Sequence, residues 1–405
     1  MAVNLPPLPE LHPVPGIRLG TTRAQIRKQD RRDLVVIECV PGTQAAALFT
    51  QNRFCAAPVT VARGHLAKAA PRALLINTGF ANAGTGAAGL DDAQRSCAAL
   101  AANLGCAPNE VLPFSTGVIG ERMPIERLVA GLPGCLSAMS DSGWAEAAHG
   151  IMTTDTLPKG SSRRVAIEGK TITVTGIAKG AGMICPNMAT LLAFIATDAA
   201  VPPAVLQRCL GAAADESFNR ISVDGDTSTN DSCVLLATGK SGLEIRVAEG
   251  AAYEAFYDTV REVLADLAQA IVRDAEGATK FITIEVVRGA SQADCLEVAY
   301  TIAHSPLVKT AFFASDPNWG RILAAVGRAR IPQLQVDRVS IHLDDVCIVR
   351  NGGRAPEYSE AQGQAVMARS EICVRVDLGA GAANARLWTC DLSHDYVTIN
   401  AEYRT

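Results

Sequence analysis

Apolar residues in this chain follow two spacings that alternate along its length. Leu34-Val-Val-Ile-Glu-Cys-Val40 and Ala73-Leu-Leu-Ile-Asn77 are short, nearly continuous runs of β-forming length, whereas Asp91 to Leu104 repeats its apolar positions at helical spacing. Asp91 or Asp92 is placed to cap that helix and Gly105 to end it. Val165-Ala-Ile-Glu-Gly-Lys-Thr-Ile-Thr-Val-Thr175 predicts a hairpin about Glu168-Gly169. Val201 to Ser217 and Ala251 to Arg273 read as helices, the second with Phe256, Val260, Val263, Leu264, Leu267 and Ile271 on one face. Beyond these come a strand at Phe281 to Val287, a helix through Leu296 to Leu307 and another around Trp319 to Val326. Strands are then expected at Val339 to Leu343, Val346 to Val349, Ile372 to Leu378 and Val397 to Ala401. The alternation predicts a layered α/β fold, with a main α/β lobe over residues 1–280 and a smaller C-terminal α/β lobe over residues 281–405. No tandem repeat or low-complexity linker interrupts it.

Composition narrows the function classes. A chain of 405 residues with 48% hydrophobic residues can bury a large core divided into two or three lobes. Charged residues make up 19%, the net charge is −4 and no basic run stands out, so neither nucleic acid nor an anionic membrane is an expected partner. The partner is expected to be a small molecule. Met1 to Gly20 carries Pro6, Pro7, Pro9, Pro13 and Pro15 without a cationic start or an apolar core, which argues against a secretory signal. No stretch reaches the roughly 18 to 20 apolar residues of a membrane helix. Twelve cysteines are scattered without a CxxC or a His/Cys cluster, fitting reduced thiols and no zinc site. A cytoplasmic protein without a metal is the expectation.

The chemistry concentrates in Lys179-Gly-Ala-Gly-Met-Ile-Cys-Pro-Asn-Met-Ala-Thr190 and the apolar run Leu191 to Ile195 after it. A threonine in such a run is ordinarily a β-branched core residue. Here Thr190 follows the small Ala189, and Gly180 and Gly182 loosen the approach. A hydroxyl can attack the preceding carbonyl only where the backbone bends sharply and no bulky side chain blocks the path. Cleavage between Ala189 and Thr190 would leave Thr190 with a free α-amino group, whose ordinary pKa of about 7.7–8.0 suits a base working near neutral pH. Nucleophile and base would then be one residue.

This segment resembles the self-cleavage site of the ornithine acetyltransferase family (ArgJ), whose members carry the Pro-Asn-Met-Ala-Thr core seen at Pro186 to Thr190. Further matches follow in order: Ser115-Thr-Gly-Val-Ile-Gly120, Met152-Thr-Thr-Asp-Thr156, Asp224-Gly-Asp-Thr-Ser-Thr-Asn-Asp231, Asp316-Pro-Asn-Trp-Gly-Arg321, and the terminal Asn400 and Thr405. The resemblance thus runs along nearly the whole chain. Leu191 stands where methionine is expected, and Phe80 where the family usually has asparagine. Neither carries a chemical role.

The resemblance implies a layered α/β sandwich of the N-terminal-nucleophile type and a set of roles. Thr190 would be the nucleophile, the Thr116 hydroxyl and the Gly117 N–H would form the oxyanion hole, and Thr153, Lys179, Thr190, Glu276, Asn400 and Thr405 would contact substrate. Each has a plainer reading from its surroundings. Thr116-Gly117 also reads as a strand-ending turn, Thr153 with Thr154 and Asp155 as a turn or helix cap, Lys179 as a solvated charge, Glu276 as a helix-end charge, and the terminus as a frayed tail. Asp224 to Asp231 has spaced oxygens like a calcium loop but lacks the closing glutamate, with Ala237 nearest that place, and reads as a hydrogen-bonded structural turn.

The activity implied is ping-pong transfer of the acetyl group of N-acetylornithine to glutamate through an acetyl-threonine, as glutamate N-acetyltransferase in arginine biosynthesis. Some members also take acetyl-CoA as a co-substrate, which leaves a second amino-acid N-acetyltransferase activity open. The family implies two cleaved chains per protomer, assembled as a heterotetramer of two α and two β chains. A self-processing aminopeptidase is the rival enzyme class, and a self-cleaved binding protein the non-enzymatic one. Lys179, Glu276 and the Asn400/Thr405 tail suit a free amino acid better than a peptide.

Overall fold

The computed structural model describes residues 2–27, 30–185 and 191–402. In chain order it begins with β1 (Ile17–Thr22), β2 (Leu34–Cys39), β3 (Gln44–Phe49), α1 (Ala57–Leu66), β4 (Ala73–Phe80), α2 (Gly86–Leu104), β5 (Val111–Val118), α3 (Ile125–Ser137) and α4 (Trp144–Gly150). There follow β6 (Lys159–Ile167), β7 (Lys170–Lys179), β8 (Leu192–Thr197), α5 (Pro203–Asp215), β9 (Ile221–Ser222), β10 (Ser232–Ala237) and α6 (Ala251–Arg273). The rest supplies β11 (Phe281–Gly289), α7 (Gln292–Ala303), α8 (Pro306–Phe313), α9 (Trp319–Gly327), β12 (Ser340–Leu343), β13 (Val346–Arg350) and β14 (Gly353–Arg354). It ends with α10 (Glu360–Met367), β15 (Glu371–Asp377), β16 (Ala383–Cys390) and α11 (His394–Ala401). These elements form two compact units: a larger one of residues 6–219 and 226–271, and a smaller one of residues 1–5, 220–225 and 272–405.

Two sheets make the larger unit, in the orders β1-β2-β4-β5 and β3-β10-β8-β7-β6. The continuous apolar run of β2 is explained by burial on both faces. Val35 and Ile37 join Leu74, Ile76 and Phe114 against Phe194 and Val234 of the second sheet. Leu34 and Val36 turn the other way, onto Cys97 and Leu100 of α2 and Leu128 and Leu132 of α3. The rings of Phe114 and Phe194 meet edge to face at 5.1 Å between the sheets, and burying side chains of this size stabilises the fold by roughly 1.5–3 kcal/mol each. On the far side, a Cβ placed on Gly176 of β7 would stand 3.2 Å from Leu267 and Val263 of α6, so the helix lies directly on the sheet. Helices, sheet, sheet and helices give the expected layered sandwich. The β6–β7 hairpin turns at Glu168 and Gly169 with φ of 50° and 75°, the positive pair of a type I′ turn.

The smaller unit is built on one sheet in the order β14-β13-β12-β15-β11-β16-β9. Its core gathers Ile282, Ile284 and Val286 of β11 with Val298 and Ile302 of α7, Ile322 and Val326 of α9, and Val374 and Val376 of β15. Cys39, Cys97, Cys135 and Cys209 are free thiols, and burial pushes them up to about 12.

Three sequence expectations are corrected. The helix expected from Asp91 begins at Gly86, and Asp92 is a buried mid-helix carboxylate that accepts from Arg122 at 3.0 Å; Gly105 does end it, with φ 65°. The single helix expected over Leu296 to Leu307 is two, broken at Pro306, which has no N–H to continue the ladder but fits the first turn of α8 behind the capping Ser305. Val397 to Ala401, expected as a strand, belongs to α11, whose Ser393 side chain caps the Tyr396 N–H.

Candidate active site

The paired strands β4 and β5 run in parallel register, Asn77 beside Ser115, Thr78 beside Thr116 and Gly79 beside Gly117, until the register slips at Phe80. At that slip Gly117 has φ 134°, a conformation open to glycine. A Cβ there would lie 2.3 Å from the Gly79 carbonyl carbon and 2.6 Å from the Phe80 nitrogen, both backbone atoms that cannot step aside. Phe80, one of the two departures noted above, lies under the Arg27 guanidinium at 5.2 Å. The turn is tied down from two sides. Ser115 Oγ donates to Asn77 Oδ1 at 2.6 Å, and the Asn230 amide donates to the Ser115 and Ala81 carbonyls at 2.9 and 2.6 Å. The acidic loop once comparable with a calcium site is therefore, from Thr227 to Asp231, a hydrogen-bonded buttress that also holds Thr50, Asn52 and Ala56.

Lys179 closes β7 opposite Leu192 of β8, and Leu192 in turn pairs with Ser232 of β10. One end of the five-stranded sheet thus collects Lys179, the start of β8 and the Asn230 loop. Lys179 is buried and its Nζ reaches the half-buried Thr116 Oγ1 at 3.5 Å. A hydroxyl that accepts from an ammonium keeps its own proton to donate, which is the state an oxyanion donor needs. Ala189 and Thr190 lie outside the described residues, as does Thr405. Leu191, the next residue after Thr190, is buried just before β8.

Asp155 holds the neighbouring loop. Its side chain is fully buried, accepting from the Thr153 N–H at 2.9 Å, from Lys159 Nζ at 2.7 Å and from the Gly180 N–H at 2.7 Å. Burial works to raise its pKa, but the Lys159 and Lys179 charges and these hydrogen bonds outweigh it, holding the carboxyl well below the usual range. The Thr153 carbonyl accepts from Arg31 at 3.1 Å, and the same guanidinium donates to the Met152 carbonyl. Thr153 and Thr154 are both half-buried on this loop. The sequence reads Asp155 only as part of a turn and gives no role to Arg31 or Asn77, whereas Asn230 falls in the loop read as a hydrogen-bonded structural turn; an acid within a hydroxyl-rich loop is the signal that marks Asp155.

In the smaller unit Glu276 is buried and accepts from the Asn400 amide at 2.8 Å, so these two expected residues meet. Asn400 also donates to the Tyr396 carbonyl at 2.9 Å. Gly277 explains the closeness: with φ 69° it lets α11 approach, and a Cβ there would lie 2.6 Å from Ser393 Oγ and the Tyr396 nitrogen. Ser393 Oγ donates back to the Gly277 carbonyl at 2.6 Å.

With this geometry in place, comparison with known proteins is specific. The ArgJ family profile matches residues 18–405. The arginine biosynthesis bifunctional proteins ArgJ of Pseudomonas fluorescens and Pseudomonas syringae pv. tomato are each 56% identical to this chain over 406 aligned residues, covering 100% of both chains in each case. A crystal structure of the arginine biosynthesis bifunctional protein ArgJ from Bacillus halodurans is 37% identical, covering 51% of this chain and 97% of its own, with a TM-score of 0.49. Full-length identity of this order, together with a family match over nearly every residue, means that this chain belongs to the ArgJ family.

Proposed function

We propose that this chain is a self-processing glutamate N-acetyltransferase of arginine biosynthesis that carries the acetyl group of N-acetylornithine to glutamate on Thr190. The observation that carries the reading is the convergence of Thr116, Gly117 and Lys179 at the sheet end from which β8 starts, directly after Ala189-Thr190 in sequence. In processing, Thr190 Oγ attacks the Ala189 carbonyl carbon, the peptide C–N bond breaks as the acyl group shifts to oxygen, and water hydrolyses the ester. This leaves an Ala189 carboxylate and a free Thr190 amine. In turnover, the amine takes the hydroxyl proton as Thr190 Oγ attacks the acetyl carbonyl of N-acetylornithine, and ornithine leaves with that proton on its nitrogen. The glutamate amine then attacks the acetyl-threonine carbonyl, the bond from the acetyl carbon to Thr190 Oγ breaks, and the proton lost by the glutamate nitrogen passes through the Thr190 amine back to Thr190 Oγ, giving N-acetylglutamate and free enzyme. Each tetrahedral intermediate places an oxyanion for the Thr116 hydroxyl and the Gly117 N–H to receive.

Lys179 and Thr153 would hold the amino-acid end of the substrate, a buried ammonium suiting a carboxylate. Glu276, Asn400 and Thr405 are assigned to the same substrate. The chemistry as written needs no metal or cofactor. We also assign a second activity, acetylation of glutamate from acetyl-CoA, in keeping with the bifunctional name of the Pseudomonas relatives. Cytoplasmic location and an assembly of two α and two β chains complete the reading. Among the described residues no helix is long and apolar enough to cross a membrane.

The test is direct. Purified protein incubated with N-acetylornithine and glutamate should release ornithine and N-acetylglutamate, and should run on a denaturing gel as fragments 1–189 and 190–405. Thr190→Ala should remain one chain without activity. A single intact band from fresh, active protein would sink the mechanism.

A further inference from the structure

Asp155 is a heavily engaged buried carboxylate, accepting from Thr153, Lys159 and Gly180. Its two oxygens join three separate pieces of chain. Oδ2 holds the Thr153 N–H, while Oδ1 holds both Lys159 Nζ, on the first residue of β6, and the Gly180 N–H, where the chain leaves β7. Lys179, adjacent to Gly180, aims its ammonium at Thr116 Oγ1. The Thr153 peptide is gripped from both sides, its N–H by Asp155 and its carbonyl by Arg31.

A buried ion pair of this kind is poor evidence for a stabilising role, because apolar replacements of such pairs are often neutral or better. What the pair does supply is fixed direction. A carboxylate ionised in a dry site accepts along several defined lines at once, and no apolar group can hold two backbone N–H groups from different segments in register.

We propose that Asp155 is a positioning residue of this active site, a carboxylate that locks the substrate-side Thr153 loop to the Lys179-Gly180 corner and so sets both substrate binding and the approach to self-cleavage. The inference rests on the proposed acetyl transfer and extends it to a residue that is assigned no role in the chemistry itself. Asparagine cannot replace it. Its oxygen can serve one side of the carboxylate, but its NH2 must then face either the Thr153 N–H or the Gly180 N–H together with the Lys159 ammonium, a donor against donors.

The experiment compares wild type with Asp155→Asn and with Asp155→Asn/Lys159→Met, which also removes the buried ammonium whose carboxylate partner the single change takes away. Melting temperature, the rate of fragment formation and the KM for N-acetylornithine are measured on the same preparations. KM is decisive, since unlike the maximal rate it does not depend on how much of the sample is folded. The expected result is a KM raised at least about tenfold in both variants and a slower appearance of fragments, with the double variant recovering melting temperature lost by the single one. A KM equal to wild type in either variant, whatever the melting temperature, overturns the proposal, as does failure of both variants to yield soluble protein, which would assign Asp155 to folding alone. Wild type that releases no ornithine overturns the acetyl-transfer reading and this inference together; active wild type beside variants with unchanged KM overturns only the inference.

Discussion

At the scale of single residues, the structure separates groups that shape the site from groups that would act in it. Thr116 belongs to the second kind: its backbone is held by β4 pairing and by the ties on Ser115, leaving the hydroxyl free of any structural duty beyond the long contact to Lys179. Thr116→Ala should therefore keep the wild-type melting temperature and lose on the order of 10²–10³ in kcat, the usual cost of one oxyanion donor. Unchanged turnover would remove Thr116 from the mechanism. Asp155 belongs to the first kind and leaves a mark on acid stability. Its folded-state pKa lies below the unfolded value of about 3.9, so the unfolded chain binds more protons, and the stabilisation is complete above that value and is lost as the pH falls through the folded one. Melting curves taken below about pH 4 should thus drop more steeply for wild type than for Asp155→Asn/Lys159→Met. Parallel curves would mean that the carboxyl titrates alike in both states.

At the scale of elements, local pattern was most readable where one periodicity ruled. The β6–β7 hairpin and α6 came out at their expected places, because Glu168-Gly169 carries turn chemistry and α6 repeats its apolar face over many turns. The terminal helix was misread for a physical reason. Val397-Thr-Ile-Asn-Ala alternates like a strand and is rich in β-branched residues, yet the signal that decides it is upstream, in the capping Ser393 and the first-turn Asp395. The Asn400–Glu276 bond depends on that helix, since only the helical turn brings Asn400 above Tyr396 and onto the Gly277 corner. If the tail serves substrate, deleting Glu402 to Thr405 beyond α11 should raise the KM for N-acetylornithine while fragments still form at the wild-type rate. Unchanged KM and kcat would return those residues to a frayed end, and a parallel fall in cleavage and melting temperature would make the tail structural.

At the scale of the molecule, what no local pattern could reveal is which strands become neighbours. Residues 221–222 add a two-residue strand parallel to Trp388 and Thr389 of β16, a pairing too short and too distant in sequence to leave a periodic trace. The same holds for the five-stranded sheet, with a consequence for processing. Its order is β3-β10-β8-β7-β6, so β8 and β10, which lie after Thr190, sit between β3 and β7, which lie before it. Six residue pairs join β10 to β3, from Ser232–Phe49 to Ala237–Gln44, and six join β8 to β7, from Val174–Thr197 to Lys179–Leu192. Phe194, Val234 and Leu236 of the later strands are buried among Leu19, Val35, Ile37 and Phe114 of the earlier ones. Cutting the Ala189–Thr190 bond removes none of these contacts, whereas parting the fragments would break both rows of strand pairing and open a shared core. Cleaved protein should therefore elute from a sizing column as one species containing both fragments, and separate only in denaturant. The 190–405 fragment made alone should be insoluble or unfolded, because its two strands of this sheet would have no outer partners. Fragments that resolve from each other under native conditions, or a downstream fragment that folds by itself, would show that the interleaved sheet does not hold the processed enzyme together.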